Sequence, residues 1–422
     1  DSLRILHNPL TGWVLYASMG VDAADFWAQY DHMYIPELGH NVSVTDYAHT
    51  LYIRASWTDF NPQEDVYGWK IDSNLRAYIE GAYQRNMRLA FRVVVDSRDK
   101  RTEFTPQFVK DAGAKGFMNK GKWSPYSDDP VFQKYYTKFV KALAKDFNDP
   151  SKVEFIDGFG LGKWGEYHTM IYSTGDDTPK KAVFNWVTDI YSQAFDKVPV
   201  VINYHRWIGA GKDWVDDEHF AADSEEMLEE AIKKGYSLRH DAFGMTTYYG
   251  SWERRFAEKY RNICPIIMEG GWIVKSHNYW QDPRGYRKDS HEDVRRGEFD
   301  DSKEAHVNMM DFRFGDTKSW FKDAFDLVRR FLREGGYRLY PSEISLPLEV
   351  SKKTPPTIKH CWNNLGWGYC PTNIPQWNQK YKVAFALLDS ETNEVRYTFV
   401  DTDTDLSKWI KGSPAEYVFE PD

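Results

Sequence analysis

The chain has 422 residues, with Asp and Glu (63) outnumbering Lys and Arg (54) for a net charge of −9; its sequence pI is about 5.8 and its mean hydropathy −0.66. That balance excludes a protein that grips a nucleic-acid backbone through a basic surface, and no apolar run in the sequence is long enough for a membrane-spanning helix. The 17 Trp, 27 Tyr and 25 Phe are spread along the chain, which excludes disorder but leaves open whether the rings fill a core or line a cleft.

The chain opens DSLRILHNP, without the basic and apolar regions of a signal peptide. Either a cytoplasmic location or a secreted one with the signal peptide removed fits this start. Short apolar runs rich in β-branched and aromatic residues then predict strands at Gly12–Tyr16, Leu51–Ser56, Arg88–Val95, Val153–Gly160, Pro199–Tyr204, Ala242–Tyr248, Cys264–Gly270 and Val307–Phe312. Helical spacing fills the gaps at Ile71–Arg85, Asp129–Phe147, Lys180–Phe195, Ser224–Lys234, Trp252–Tyr260 and Asp316–Glu334. The densely charged stretch Arg287–Glu304 is expected to be a solvated loop. Eight strand–helix alternations predict an α/β fold, a (β/α)₈ TIM barrel, over residues 1–337. A doubly wound sheet fits less well, because no Gly-rich phosphate loop follows the first strand.

From residue 338 to 422 the pattern changes to strands separated by turns: Leu339–Val350, His360–Cys370, Tyr381–Asp389 and Val395–Val400, with Thr354-Pro355-Pro356 between the first two. A small C-terminal β-sandwich module is expected there. Cys361 and Cys370 flank one loop and could pair, whereas Cys264 reads as a buried thiol. No Cys/His pair has zinc-ligand spacing, so neither metal nor organic cofactor is expected.

Residues at the carboxyl ends of barrel strands point into the mouth where such folds do chemistry. Glu166, just past strand four in GFGLGKWGEYH, and Glu269, ending strand seven in CPIIMEGGW, fall there roughly across the barrel from each other. Glu154 and Asp157 compete with Glu166. A Glu emerging from an apolar strand is costly unless pairing or function requires it. Two facing carboxylates are what glycoside hydrolysis needs, one to protonate the leaving oxygen and one to attack or activate water. Arg54, Asp96, Arg98, Asn203, Tyr204, His205, Tyr248 and Tyr249 also follow strand ends. Arg54 and a strand-six tyrosine are expected to keep Glu269 ionised. Trp57, Trp164, Trp207, Trp252 and Trp272 are candidate sugar platforms. Lys163, His168, Arg206 and Lys275 add positive charge at the same rim, which hints at an anionic sugar. No Gly-x-Ser-x-Gly elbow or Walker loop is present.

The stretch IRASWTDFNPQEDVYGWK resembles clan A glycoside hydrolases, including family 42 β-galactosidases, in the order of Arg54, Trp57, Pro62, Glu64, Tyr67 and Trp69. The resemblance implies retention of configuration, with Glu166 as acid/base and Glu269 as nucleophile. It also implies a sugar-contacting role for Arg54 and for Tyr248 or Tyr249. HNPLTGWVLY and CWNNLGWGYC are similar to secreted bacterial barrels with a C-terminal β-module that degrade polysaccharides, which implies a secreted, periplasmic or cell-surface location. Two places depart from the clan: Gly165 stands where an Asn usually precedes the acid/base Glu, and MMDFRFG offers Asp311 and Arg313 where a strand-eight Trp is usual. The expected partner is a carbohydrate, with no nucleic acid and no membrane span. The rival expectation is a glycan-binding barrel without catalysis.

Overall fold

The computed structural model describes residues 4–211, 218–243, 248–271, 291–313, 315–351, 353 and 356–421. Eight parallel strands close into a barrel: β1 Gly12–Tyr16, β2 Ala48–Ser56, β3 Arg88–Val94, β4 Val153–Asp157, β5 Val200–Asn203, β6 Tyr236–Phe243, β7 Ile266–Gly270 and β8 Met309–Asp311. Each pairs with its neighbours in sequence, and β8 closes on β1 with Gly12 opposite Met309.

Helices wrap the outside: α1 Ala23–Asp31, α2 Ser73–Gln84, α3 Pro130–Phe147, α4 Lys180–Ala194, α5 Glu218–Lys233, α6 Ser251–Tyr260 and α7 His291–Glu304, then α8 Thr317–Asp323 and α9 Phe325–Glu334. Their sequence logic is plain in α3. Asp129 caps it by accepting from the Phe132 amide, and Pro130 occupies the first turn, where no amide hydrogen is needed. Phe132, Tyr136, Phe139 and Leu143 form its buried stripe. Among the described residues no helix is long and apolar enough to cross a membrane.

Three expectations change. The sixth strand runs Tyr236–Phe243 rather than Ala242–Tyr248, because its inward positions Ser237, Arg239 and Asp241 are polar and hide it from a search for apolar runs. The expected helix Asp316–Glu334 is two helices that break at Ala324 (φ −148°, ψ 38°). Where a solvated loop was expected over Arg287–Glu304, residues 291–304 form α7. Its Arg295, Glu298 and Asp301 are buried, and Arg295 lies 2.6 Å from Glu298 and 3.3 Å from Asp316. With Arg295 paired to Glu298 and Asp316, and Asp301 to Arg254, these charges can be buried as a lone charge could not.

After the barrel, β9 Leu339–Ser345, β10 Ile358–Asn364 and β13 Ala415–Phe419 form an antiparallel sheet, and β11 Val383–Leu388 pairs with β12 Val395–Asp401. These antiparallel sheets form the small β-module. Thr354 and Pro355 lie outside the described residues. Cys264, Cys361 and Cys370 are all free thiols, so the pairing of Cys361 with Cys370 that the sequence left open does not occur.

The barrel interior has two storeys. Val14, Ala90, Phe155, Val201, Ile267 and Met309 pack together in the lower one and are joined there by Tyr337, Cys370, Ile374 and Trp377. Side chains alternate across a strand, so the next inward position is two residues further on. Those positions are Tyr16, Arg92, Asp157, Asn203, Glu269 and Asp311. The same step leads from Tyr52 to Arg54 and from Ser237 to Arg239. On every strand the inward face turns polar as it approaches the carboxyl end.

Candidate active site

Glu166 sits on the loop after β4, where the backbone is tightly folded. Gly162, Trp164, Gly165, Tyr167 and Thr169 all have left-handed φ values between 49° and 77°. At Gly165 this φ favours glycine, and an added Cβ would lie 3.4 Å from Arg92 Nε and 3.3 Å from Val94. That is the local reason for a glycine where the resembling enzymes carry Asn. Arg54 Nη2 donates to the Trp164 carbonyl at 2.7 Å, and His205 Nε2 lies 2.8 Å from the Glu166 carbonyl. His205 Nδ1 accepts from the Trp207 amide, so its proton is on Nε2 and is donated to that carbonyl.

Glu166 is 9% exposed. His168 Nε2 lies 3.1 Å from its Oε2, while Arg92 and Arg54 stand 3.7 and 3.9 Å from its Oε1. The rival Glu154 is tied to Arg88 at 3.0 Å, at the opposite end of the strands. Asp157 is buried beneath the mouth and accepts from the Tyr52 hydroxyl.

Glu269 is 4% exposed. Its Oε2 accepts from Arg239 Nη2 at 2.8 Å, and the same nitrogen donates to Asp311 at 2.9 Å. Burial raises the Glu269 carboxyl well above the usual range, the charges of Asp311 and Asp241 add to this, and Arg239 and Arg54 oppose it. Asp311 is raised to about 6 by burial, against the pull of Arg239. Two carboxylates on one guanidinium nitrogen therefore hold a proton to higher pH than isolated acids do. Asp241 behaves oppositely: burial would raise it, but Arg92 and Arg239 outweigh burial and hold it low.

The structure brings together Glu166, Glu269, Arg54, Lys163, Trp164, Asn203, His205 and Tyr248 at the carboxyl end of the barrel. Arg54 feels the charge of both glutamates but stands nearer Glu166, so Arg239 replaces it as the immediate partner of Glu269. Trp164 is half-buried, with Lys163 Nζ 4.4 Å from its ring centre and 3.1 Å from Asp99. Asn203 is fully buried, and its carboxamide has no hydrogen-bond partner among the described residues. Tyr248 packs with His168, His205 and Trp207 as a wall behind Glu166.

Other candidates belong elsewhere. Trp57 is fully buried among Phe108, Phe132, Tyr136 and Phe139, so it is core and not a sugar platform. Tyr249 stacks on Phe243 and shares a hydroxyl contact with Tyr204, behind β6. Trp252 stacks on Phe256 of its own helix. Asp96 and Arg98 pair with each other, and Arg98 also holds the Thr169 carbonyl. Arg206 is committed to Glu253. Trp272 and Lys275 lie outside the described residues.

Arg92, Arg239 and Asp241 are site residues that the sequence did not single out, and Asp157, a rival of Glu166 there, belongs to the ionic layer beneath the mouth. For Arg92 a signal was available, a charged residue two positions beyond the apolar inward Ala90, whereas Arg239 and Asp241 follow polar inward positions and carry no such mark. The sequence did not single out Lys100 either, whose amine is lowered to about 8 by burial and by Arg54, with Glu166 and Asp99 opposing the shift. Among the described residues no group of three or more His, Cys, Asp or Glu is set to hold a metal ion.

This arrangement defines a (β/α)₈ barrel protein with two glutamates at the carboxyl ends of strands roughly across its mouth, over a buried ionic layer. No family model and no curated protein matches the chain. Among solved structures it is similar to endo-glycoceramidase II from Rhodococcus sp. (12% identity, TM-score 0.44, 98% of this chain and 97% of that one). It is also similar to an endoglucanase of Pseudomonas stutzeri (11%, TM-score 0.45, 76% and 94%) and to a GH30 endoxylanase of Clostridium papyrosolvens (8%, TM-score 0.46, 98% and 95%). Likenesses at this level carry no argument about activity, which has to rest on the residues themselves.

Proposed function

We propose that the protein is a retaining glycoside hydrolase that cleaves a β-glycosidic bond in a polysaccharide or oligosaccharide, with an anionic sugar bound beside Glu166. The observation that carries this reading is the pair of nearly covered glutamates, Glu166 and Glu269, held at one end of the barrel in different electrostatic settings. In this reading Glu269 attacks the anomeric carbon as the bond to the leaving oxygen breaks, and Glu166 gives that oxygen its proton. Glu166 then takes a proton from water, which displaces Glu269 from the sugar. Arg239 and Arg54 oppose the burial that favours the protonated acid, and so support Glu269 as the attacking anion.

Arg54, Lys100 and Lys163 support the anionic substrate. The Lys100 amine has no carboxylate within ion-pair distance among the described residues and lies within the electrostatic reach of Arg54 and Glu166. A sulfated or uronic sugar would supply the missing charge. A β-galactosidase-like preference and a secreted location are parts of the same proposal, and both rest on the sequence resemblance.

The test is hydrolysis of a panel of neutral and anionic glycans, combined with labelling by 2-deoxy-2-fluoro glycosides. Peptide mass mapping should find the label on Glu269. Retained turnover in Glu269→Gln, or a label on another residue, would reject the nucleophile assignment.

A further inference from the structure

The two glutamates are joined beneath the barrel mouth by a continuous chain of ions. Glu269 meets Arg239 Nη2 at 2.8 Å. Arg239 Nε lies 3.2 Å from Asp241 Oδ1. Both Asp241 oxygens are 3.0 Å from Arg92 Nη1, and Arg92 Nη2 reaches to 3.7 Å from Glu166. Arg92 and Arg239 are fully buried, and the Asp241 side chain is 2% exposed. Water therefore screens none of these contacts effectively.

The layer is not neutral. Arg54, Arg92 and Arg239 face Asp157, Glu166, Asp241, Glu269 and Asp311. With negative groups in excess, each arginine is shared, and Asp241 is the carboxylate shared between the two buried ones.

We propose that Asp241 is a positioning residue that couples the charge of Glu269 to that of Glu166 through Arg239 and Arg92. The inference rests on the reading that Glu269 becomes a glycosyl ester during turnover. When its oxygen bonds to the anomeric carbon, the leaving oxygen takes the bonding pair and the Glu166 proton. Negative charge thus disappears at Glu269 and appears at Glu166. Arg239, released from Glu269, draws Asp241 toward itself, and Arg92 is freed to meet the new charge on Glu166. The chain moves a counter-ion across the barrel floor in step with the reaction, at little cost in reorganisation.

The charged and titratable groups around Asp241 are Arg92, Arg239, Asp157, Glu269, Asp311, Arg54 and His240. Those facing Glu166 are Arg54, Arg92, His168 and Lys100. Asp241 is the carboxylate with a 3 Å contact to Arg92 and also a contact to Arg239.

The experiment titrates Glu166 in the full chain by NMR of ¹³C-labelled carboxyl carbons, with the signal assigned by its loss in E166Q. Glu269→Gln mimics the loss of charge in the glycosyl-enzyme. It should move the Glu166 titration down by about one pH unit. In an Asp241→Asn background the same change should produce less than half that shift. Arg92→Lys keeps the charge but cannot span both carboxylates, so it should weaken the shift similarly and serves if Asp241→Asn does not fold. Equal shifts in all backgrounds would overturn the coupling. A wild-type protein with no glycosidase activity and no fluoroglycoside label would reject the enzymatic reading, while the titration would still decide whether the glutamates are coupled.

Discussion

The two storeys of the barrel interior are built on the same strands, two residues apart, and they work against each other energetically. The lower one, with Ala90, Phe155, Val201 and Ile267 fully buried, removes apolar surface from water and stabilises the fold. The upper one buries Arg92, Asp157, Arg239 and Asp311 with no exposed surface. Each ion there costs several kcal/mol in lost hydration before pairing offsets it. The contrast teaches that stability and chemistry are separated along the barrel axis, with Tyr52 as the hinge between them. Its ring packs with Phe155 below and carries Arg239 4.5 Å from its centre, while its hydroxyl meets Asp157.

Substitutions should sort by storey. The largest expected effect is Glu269→Gln, which should lower turnover by about a thousand-fold or more without lowering the melting temperature; initial rates and calorimetry on the same sample check both halves of that statement. Next is Phe155→Ala in the lower storey, expected to cost about 3–5 kcal/mol in denaturant unfolding through the cavity it leaves. Its kcat/KM, measured on the folded fraction, should stay close to wild type. A loss of activity without a loss of stability would erase the distinction between storeys.

Asp311→Asn comes third and has the opposite sign for stability. Burial, as the largest cause, raises the Asp311 carboxyl to about 6 in the folded chain, above the ordinary aspartate value of about 3.9. The folded state thus prefers the protonated acid. That contribution is complete below about pH 4 and is lost as pH rises through 6. The variant should therefore be more stable than wild type at pH 8, by about 3 kcal/mol, with the two curves converging near pH 4. Removing this neighbouring charge should also move the acid limb of the rate profile to lower pH.

The smallest effect is expected for Lys100→Met. It should raise KM for an anionic glycan about tenfold and leave a neutral one unchanged. Because burial lowers the wild-type amine to about 8, its charge is lost above that pH, and the preference for the anionic glycan should fade there. A preference that persists unchanged to pH 9.5 would show that Lys100 does not confer it.

How much of this the sequence reveals follows the same division. Apolar inward residues made seven of the eight strands easy to place, and Gly12–Tyr16 is found with its expected ends. The sixth was displaced because Arg239 and Asp241 point inward, against the rule that a buried strand is apolar. Helix α7 escaped for a related reason, since its buried charges are satisfied in part by residues outside the helix, such as Asp316 for Arg295 and Arg254 for Asp301. The two glutamates were legible from their places at strand ends. Their ionic support was not, because Arg92 contacts Asp241 across 149 residues of sequence and no local pattern encodes that meeting. Trp57 shows the converse: its position after β2 suggested a cleft, whereas the cluster of rings around it makes it core.

The floor of the barrel carries one more consequence. Tyr337, Cys370, Ile374 and Trp377 belong to the same apolar cluster as the strands' lower residues. Asn308 at the foot of β8 ties the Leu10 and Tyr369 carbonyls together, and Trp367 donates to Val307. The segment beyond residue 337 is thus a stopper in the base of the barrel, and cutting the chain there would pull it out. A truncated barrel would present a greasy, open underside to water and invite self-association, so any attempt to transplant the barrel mouth onto a smaller scaffold has to bring its own seal for that opening.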